Sequence, residues 1–175
     1  MCVGASSLIE HAYRQGVPMV LITNQSEIYR ELFKWGHFKR VNERIQEILG
    51  PNAPLAGVYA ISHGPDAPAD GWFKPSPQML FQAYRDLNID LCRSIIVGDR
   101  LSDLQTGDSA GLALVFHVLS GHASNARSSV VEWQHQQENI SMVNRQSPHK
   151  SPKLRLLGSV NCFLFSLLEK GDVAC

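Results

Sequence analysis

The sequence predicts an α/β fold, a parallel sheet flanked by helices, and two observations carry that expectation. Four short runs are almost wholly apolar: VPMVLI at 17–22, GVYAI at 57–61, SIIV at 94–97 and LALVFHVL at 112–119. Between them lie longer segments whose apolar residues recur at helical spacing. A strand with no polar face needs cover on both sides, which helices alternating with parallel strands provide.

Taken in order, residues 6–15 read as an amphipathic helix, with Ser6 or Ser7 as cap, Leu8, Ile9 and Ala12 inward, and Gly16 at its end. The first strand follows at 17–22 and runs into the polar stretch TNQSEIYRE. Phe38, Val41, Ile45 and Ile48 mark a helix that stops near Gly50 and Pro51. After the second strand, residues 62–77 hold many of the Gly and Pro residues and are expected to be irregular. Pro77 opens a helix with Met79, Leu80, Ala83 and Leu87 on one face. The third strand passes into GDRLSD and a helix ending at Gly111, before the last core strand.

From Ser120 to Lys153 the composition turns to Ser, Asn, Gln and His, which suggests a surface excursion with one short helix around Val130, Val131 and Trp133. Apolar composition returns at 154–168, as an edge strand with a docking helix or as helix alone. The expected organisation is a core over residues 1–121, a polar excursion over 122–153 and a C-terminal strand and helix over 154–175.

Bulk composition excludes several classes of function. Lys plus Arg and Asp plus Glu both number 16, so no overall field draws the chain to nucleic acid or to an anionic membrane. No apolar run approaches the roughly 20 residues of a membrane span, and residues 1–16 have neither a basic nor an apolar signal region. The four cysteines, Cys2, Cys92, Cys162 and Cys175, form no CxxC pair and are expected to be reduced thiols in a cytoplasmic protein.

In an open parallel sheet, ligands bind beyond the carboxyl ends of the strands. That rule selects Thr23, Asn24, Gln25 and Ser26 after the first strand, Asp99 and Asp103 after the third, and Lys74 at the end of the Gly/Pro-rich loop. A hydroxyl and backbone N–H groups at a strand end suit phosphate oxygens. Two carboxylates four residues apart suit Mg²⁺, and a lysine ammonium suits a transferring phosphoryl group. Each residue also has an ordinary structural role: Asp99 could cap the next helix, Thr23 a turn, and Lys74 could be a solvated loop residue. Their common placement at one end of one predicted sheet favours the chemical reading.

In order, LITNQS, FKPSPQML and SIIVGDRLSDLQTGDSAGL resemble motifs II, III and IV of the haloacid-dehalogenase (HAD) superfamily. The resemblance is narrower to its branch of heptose-bisphosphate and histidinol phosphatases, and runs from about Leu8 to Gly121. It implies a Rossmann-like HAD fold and a Mg²⁺-dependent phosphoric monoester hydrolase acting on a small sugar phosphate. It further implies that Thr23 and Asn24 hold phosphoryl oxygens and that Lys74 stabilises an aspartyl-phosphate. Asp99 would ligate Mg²⁺, with Asp103 as ligand or support, and Arg30 would touch substrate phosphate.

The sequence also departs from the pattern. The family's nucleophilic Asp and its acid/base Asp belong on a central strand preceding TNQS, yet residues 1–22 contain no Asp, and Glu10 is their sole acid. The central strand is therefore expected to be missing from this chain. The chain is then N-terminally truncated and inactive as it stands, or its two interior strands pair directly, or a segment such as LRLLGSV fills the gap. The alternative to a phosphatase is a non-catalytic phosphate- or partner-binding scaffold. A polynucleotide 3′-phosphatase shares TNQ and KP, but the neutral charge and GDRLSD argue against it. Of the zinc loop found in many relatives only His63 remains, so no zinc is expected. Glu27 and Glu31 stand where the family has glycines, and Phe73 where it has arginine, which removes positive or neutral contacts from an anionic substrate.

Overall fold

Apolar runs ended by polar turns form strands here, and the periodic segments between them form helices, in a computed structural model that describes residues 4–64, 66, 68, 71–119, 126–143 and 153–156. The described residues divide into two units, one within Val3–Ile89 and one within Asp90–Cys175.

The first unit holds α1 (Ala5–Arg14), β1 (Val20–Asn24), α2 (Ser26–Tyr29), α3 (Trp35–Leu49), β2 (Gly57–Ile61) and α4 (Gln78–Leu87). β1 and β2 pair in parallel, Val20 opposite Gly57 through Asn24 opposite Ile61. α1 packs on α3, and α4 packs on both strands. Met79 and Ala83 of α4 are fully buried, and Leu8 of α1 and Leu49 of α3 nearly so. Burying an aliphatic or thioether side chain of this size stabilises by roughly 1.5–3 kcal/mol each. The strand begins three residues later than its apolar run, because Pro18 cannot donate to a ladder, and so carries Thr23 and Asn24 inside its last turn of pairing. Both strands are half-buried throughout, where an all-apolar run suggests full cover.

The second unit holds β3 (Ile95–Gly98), α5 (Leu101–Ser109), β4 (Leu114–His117), α6 (Arg127–Val143) and β5 (Lys153–Leu156). The strands form one parallel sheet in the order β3-β4-β5. The strand expected within LRLL thus pairs with β4 at the sheet edge rather than beside β3, and residues 157–168 lie outside the described part. α5 lies on β3 and β4. Gly107 permits that approach: a Cβ there would stand 2.7 Å from Ile96 Cγ2 and 2.9 Å from Val115 Cγ1. In place of one short helix near Val130, α6 runs for 17 residues, and Val130 is fully buried. One well-buried anchor organises a helix that polar composition disguises.

Two features of the first unit yield predictions. Glu31 adopts φ 61, a left-handed backbone that costs a side-chain-bearing residue roughly 1–2 kcal/mol. Glu31→Gly removes that cost but adds chain entropy to the unfolded state, for a net gain of about 0.5 kcal/mol in urea unfolding. Tyr59 of β2 donates its hydroxyl to Asp86 Oδ2 of α4 at 3.1 Å. Burial, that hydrogen bond and the Asp86 charge raise the phenol above its usual 10.0. Because the folded-state value lies above the unfolded one, this tie contributes fully below pH 10 and is lost as pH rises through the folded value. Ultraviolet titration is expected to show one late-ionising tyrosine that moves back toward 10 in Asp86→Asn.

Candidate functional site

The carboxyl end of β1 delivers Thr23 and Asn24 to the loop that carries Lys74. The Asn24 amide meets the Lys74 backbone twice: its Oδ1 accepts from the Lys74 N–H at 3.0 Å, and its Nδ2 donates to the Lys74 carbonyl at 3.3 Å. One side chain thus holds the peptide groups on both sides of Lys74, and the Lys74–Pro75 peptide is cis. Gln25 Nε2 donates to Thr23 Oγ1 at 2.9 Å, and that hydroxyl donates in turn to the Asn24 carbonyl at 3.5 Å.

Lys74 itself reaches back to β1, its ammonium donating to the Ile22 carbonyl at 3.3 Å. The position of that carbonyl follows from the ladder. Gln25 N donates to Ile61 O, and Met19 O accepts from Ala56 N, so the odd residues of β1 face β2. Alternate residues of a parallel strand turn to opposite sides, so Ile22 points to the other edge. The ammonium sits on the edge of β1 opposite β2.

Arg30 caps the end of α2, and its guanidinium lies 3.8 Å from Glu27, both side chains more than half exposed. A pair this exposed is worth at most about 1 kcal/mol. His63 stacks on Tyr29 at 5.6 Å, and it lines a cavity of about 500 Å³ with Ala60, Ile61, Trp72 and Phe73.

In the second unit, Asp99 follows β3 and Asp103 lies in the first turn of α5. Asp103 is 6% exposed, and its Oδ2 accepts from the Arg100 N–H at 3.1 Å. Gly98 makes this possible, since a Cβ there would collide with the Asp103 side chain. His117, the last residue of β4, is fully buried, and its Nε2 lies 3.2 Å from the Asp99 carbonyl. A carbonyl only accepts, so Nε2 carries the proton. Burial lowers the His117 pKa; the hydrogen bond to the Asp99 carbonyl opposes this, Arg127 adds to it, and the Asp99 and Asp103 charges oppose it. Reading LALVFHVL as one core strand passes over this histidine; a lone titratable residue inside an apolar run is the signal that marks it.

A family model described as HAD-hydrolase-like matches residues 72–140. A D-glycero-beta-D-manno-heptose-1,7-bisphosphate 7-phosphatase from Mesorhizobium japonicum is 44% identical over 112 residues, 60% of this chain and 52% of that protein. One of the same name from Haemophilus ducreyi is 32% identical over 130 residues, 70% of this chain and 71% of that protein. The chain belongs to the HAD superfamily, in its heptose-bisphosphate phosphatase branch. A crystal structure of D,D-heptose 1,7-bisphosphate phosphatase from B. bronchiseptica, complexed with magnesium and phosphate, shares the fold. Its TM-score is 0.75 at 23% identity, over 95% of this chain and 83% of that one. This HAD chain spans between about half and two thirds of its first curated relatives, 52% of the Mesorhizobium japonicum protein and 65% of the one from Photorhabdus laumondii.

Within the HAD chain the amide of Asn24 is a fixing element whose loss is measurable. Asn24→Ala leaves the part-buried Lys74 N–H and carbonyl without that partner, at a cost of about 1–3 kcal/mol. Hydrogen exchange at the Lys74 amide is expected to accelerate, while Ile96 and Val115 amides keep their relative protection.

Proposed function

We propose that this chain carries the phosphate-holding and Mg²⁺-holding residues of a HAD phosphatase for a small sugar phosphate of the heptose-bisphosphate kind. The observation that supports it most is the double hydrogen bond from Asn24 to the Lys74 backbone, which fixes that lysine at the carboxyl end of β1, where its ammonium reaches the Ile22 carbonyl. Relatives named as heptose-bisphosphate phosphatases support the substrate class.

Thr23 and Asn24 bind phosphoryl oxygens, the former through a hydroxyl already oriented by Gln25. The Lys74 ammonium stabilises negative charge that builds on the transferring group. Arg30, at the end of α2, exchanges Glu27 for a substrate phosphate. Asp99 holds magnesium, and Asp103 assists as ligand or support. The donor set fits that ion: Mg²⁺ accepts one or two carboxylates and keeps its remaining places for water and phosphate. Such an ion would supply positive charge to phosphate oxygens.

The aspartyl-phosphate chemistry of the family needs an Asp on a strand before Thr23, and residues 1–22 have none. The 175-residue chain is therefore proposed to bind Mg²⁺ and phosphate without turnover. Calorimetry is expected to show Mg²⁺ binding that weakens at least tenfold in Asp99→Asn. An aryl phosphate is expected to be hydrolysed only by a longer chain bearing an upstream Asp-x-Asp segment. Hydrolysis by the 175-residue chain that survives Asp99→Asn would rule out the assignment.

A further inference from the structure

The ladder between β3 and β4 closes with Val118 N–H on the Gly98 carbonyl at 3.0 Å. The next carbonyl along the chain, that of Asp99, is taken by a side chain instead, His117 Nε2 at 3.2 Å. The N–H of the following residue, Arg100, is taken by Asp103 Oδ2 at 3.1 Å. The Asp99 carbonyl and the Arg100 N–H belong to one peptide unit. That single plane is therefore held at both ends, by two side chains that are 0% and 6% exposed.

We propose that His117 is a positioning residue for the Asp99 carboxylate, acting through the Asp99–Arg100 peptide. The inference rests on the assignment of Asp99 as a magnesium ligand. With this plane held, and the preceding one held through the Gly98 carbonyl, φ and ψ of Asp99 are fixed, and the direction in which its Cα–Cβ bond leaves the backbone is set before any ion arrives. A strand-end loop lacking this restraint would sample several directions and lose affinity in ordering one of them. The donor's chemistry suits its place. An imidazole N–H is a single, directed donor on a short, stiff side chain. Its seat on β4, between Phe116 and Val118, which are each 4% exposed, makes the anchor rigid.

The test uses the 175-residue chain with magnesium chloride alone as the probe, by calorimetry, with thermal unfolding measured beside it. His117→Leu fills the space without a donor, and His117→Gln places an amide N–H near the position of Nε2. The expected result is Mg²⁺ affinity about tenfold weaker in His117→Leu and within about threefold of wild type in His117→Gln, a scale set by the usual loss of an outer partner of a metal ligand. Rescue by Gln, even where both variants melt lower, supports positioning. Wild-type affinity in a folded His117→Leu overturns the inference and leaves Asp99 as a ligand. Equal losses in both variants that follow their melting temperatures reduce His117 to a packing residue and also overturn it. Absence of Mg²⁺ binding in the wild type overturns the magnesium assignment, and this inference with it.

Discussion

One amide side chain does for the first unit what a strand ladder cannot. Lys74 lies on a Gly/Pro-rich loop with little regular pairing of its own, and Asn24 accepts from its N–H and donates to its carbonyl. Each bond is worth only about 1 kcal/mol net, yet both act on the same residue, so the loop has one position relative to β1. The ammonium can then reach the Ile22 carbonyl, and the hydroxyl of Thr23 keeps its neighbour Gln25. Without that amide the Lys74 backbone would lose both of these ties to β1.

The second unit solves the same problem with other means. There the residue to be placed is an acid at a strand end, and the restraint falls on the peptide that follows it. Two tightly buried side chains, from α5 and from β4, hold that peptide from its N–H and its carbonyl sides. Glycine is needed at the approach, because any side chain on Gly98 would occupy the space of Asp103. Gly107 serves α5 in the same way, seating the helix directly on Ile96 and Val115. The sequence string GDRLSDLQTG is thus a set of steric requirements as much as a row of polar groups.

Much of this was legible in the residues. The apolar runs mark β1 to β4 to within a few positions, since a covered strand has no other composition available. Met79, Leu80 and Ala83 announce the buried face of α4 by spacing alone. Thr23, Asn24, Lys74, Asp99 and Asp103 stand out as polar groups at strand ends, and the structure joins Asn24 to Lys74 and attaches Asp103 to the peptide of Asp99. What spacing does not show is tertiary. The length of α6 depends on Val130 finding a buried seat, and the importance of His117 depends on Gly98 lying opposite it in the register. The left-handed turn at Glu31 is likewise invisible in a residue type that rarely adopts it.

The lysine on the edge of β1 has one more effect. A carbonyl on a strand edge is satisfied by a neighbouring strand, by water or by a side chain. At Ile22 the donor is the Lys74 ammonium, so a side chain takes the place of a ladder bond. A neutral residue at position 74 would therefore deprive the Ile22 carbonyl of this donor, and the change would be felt in β1 as well as in the loop.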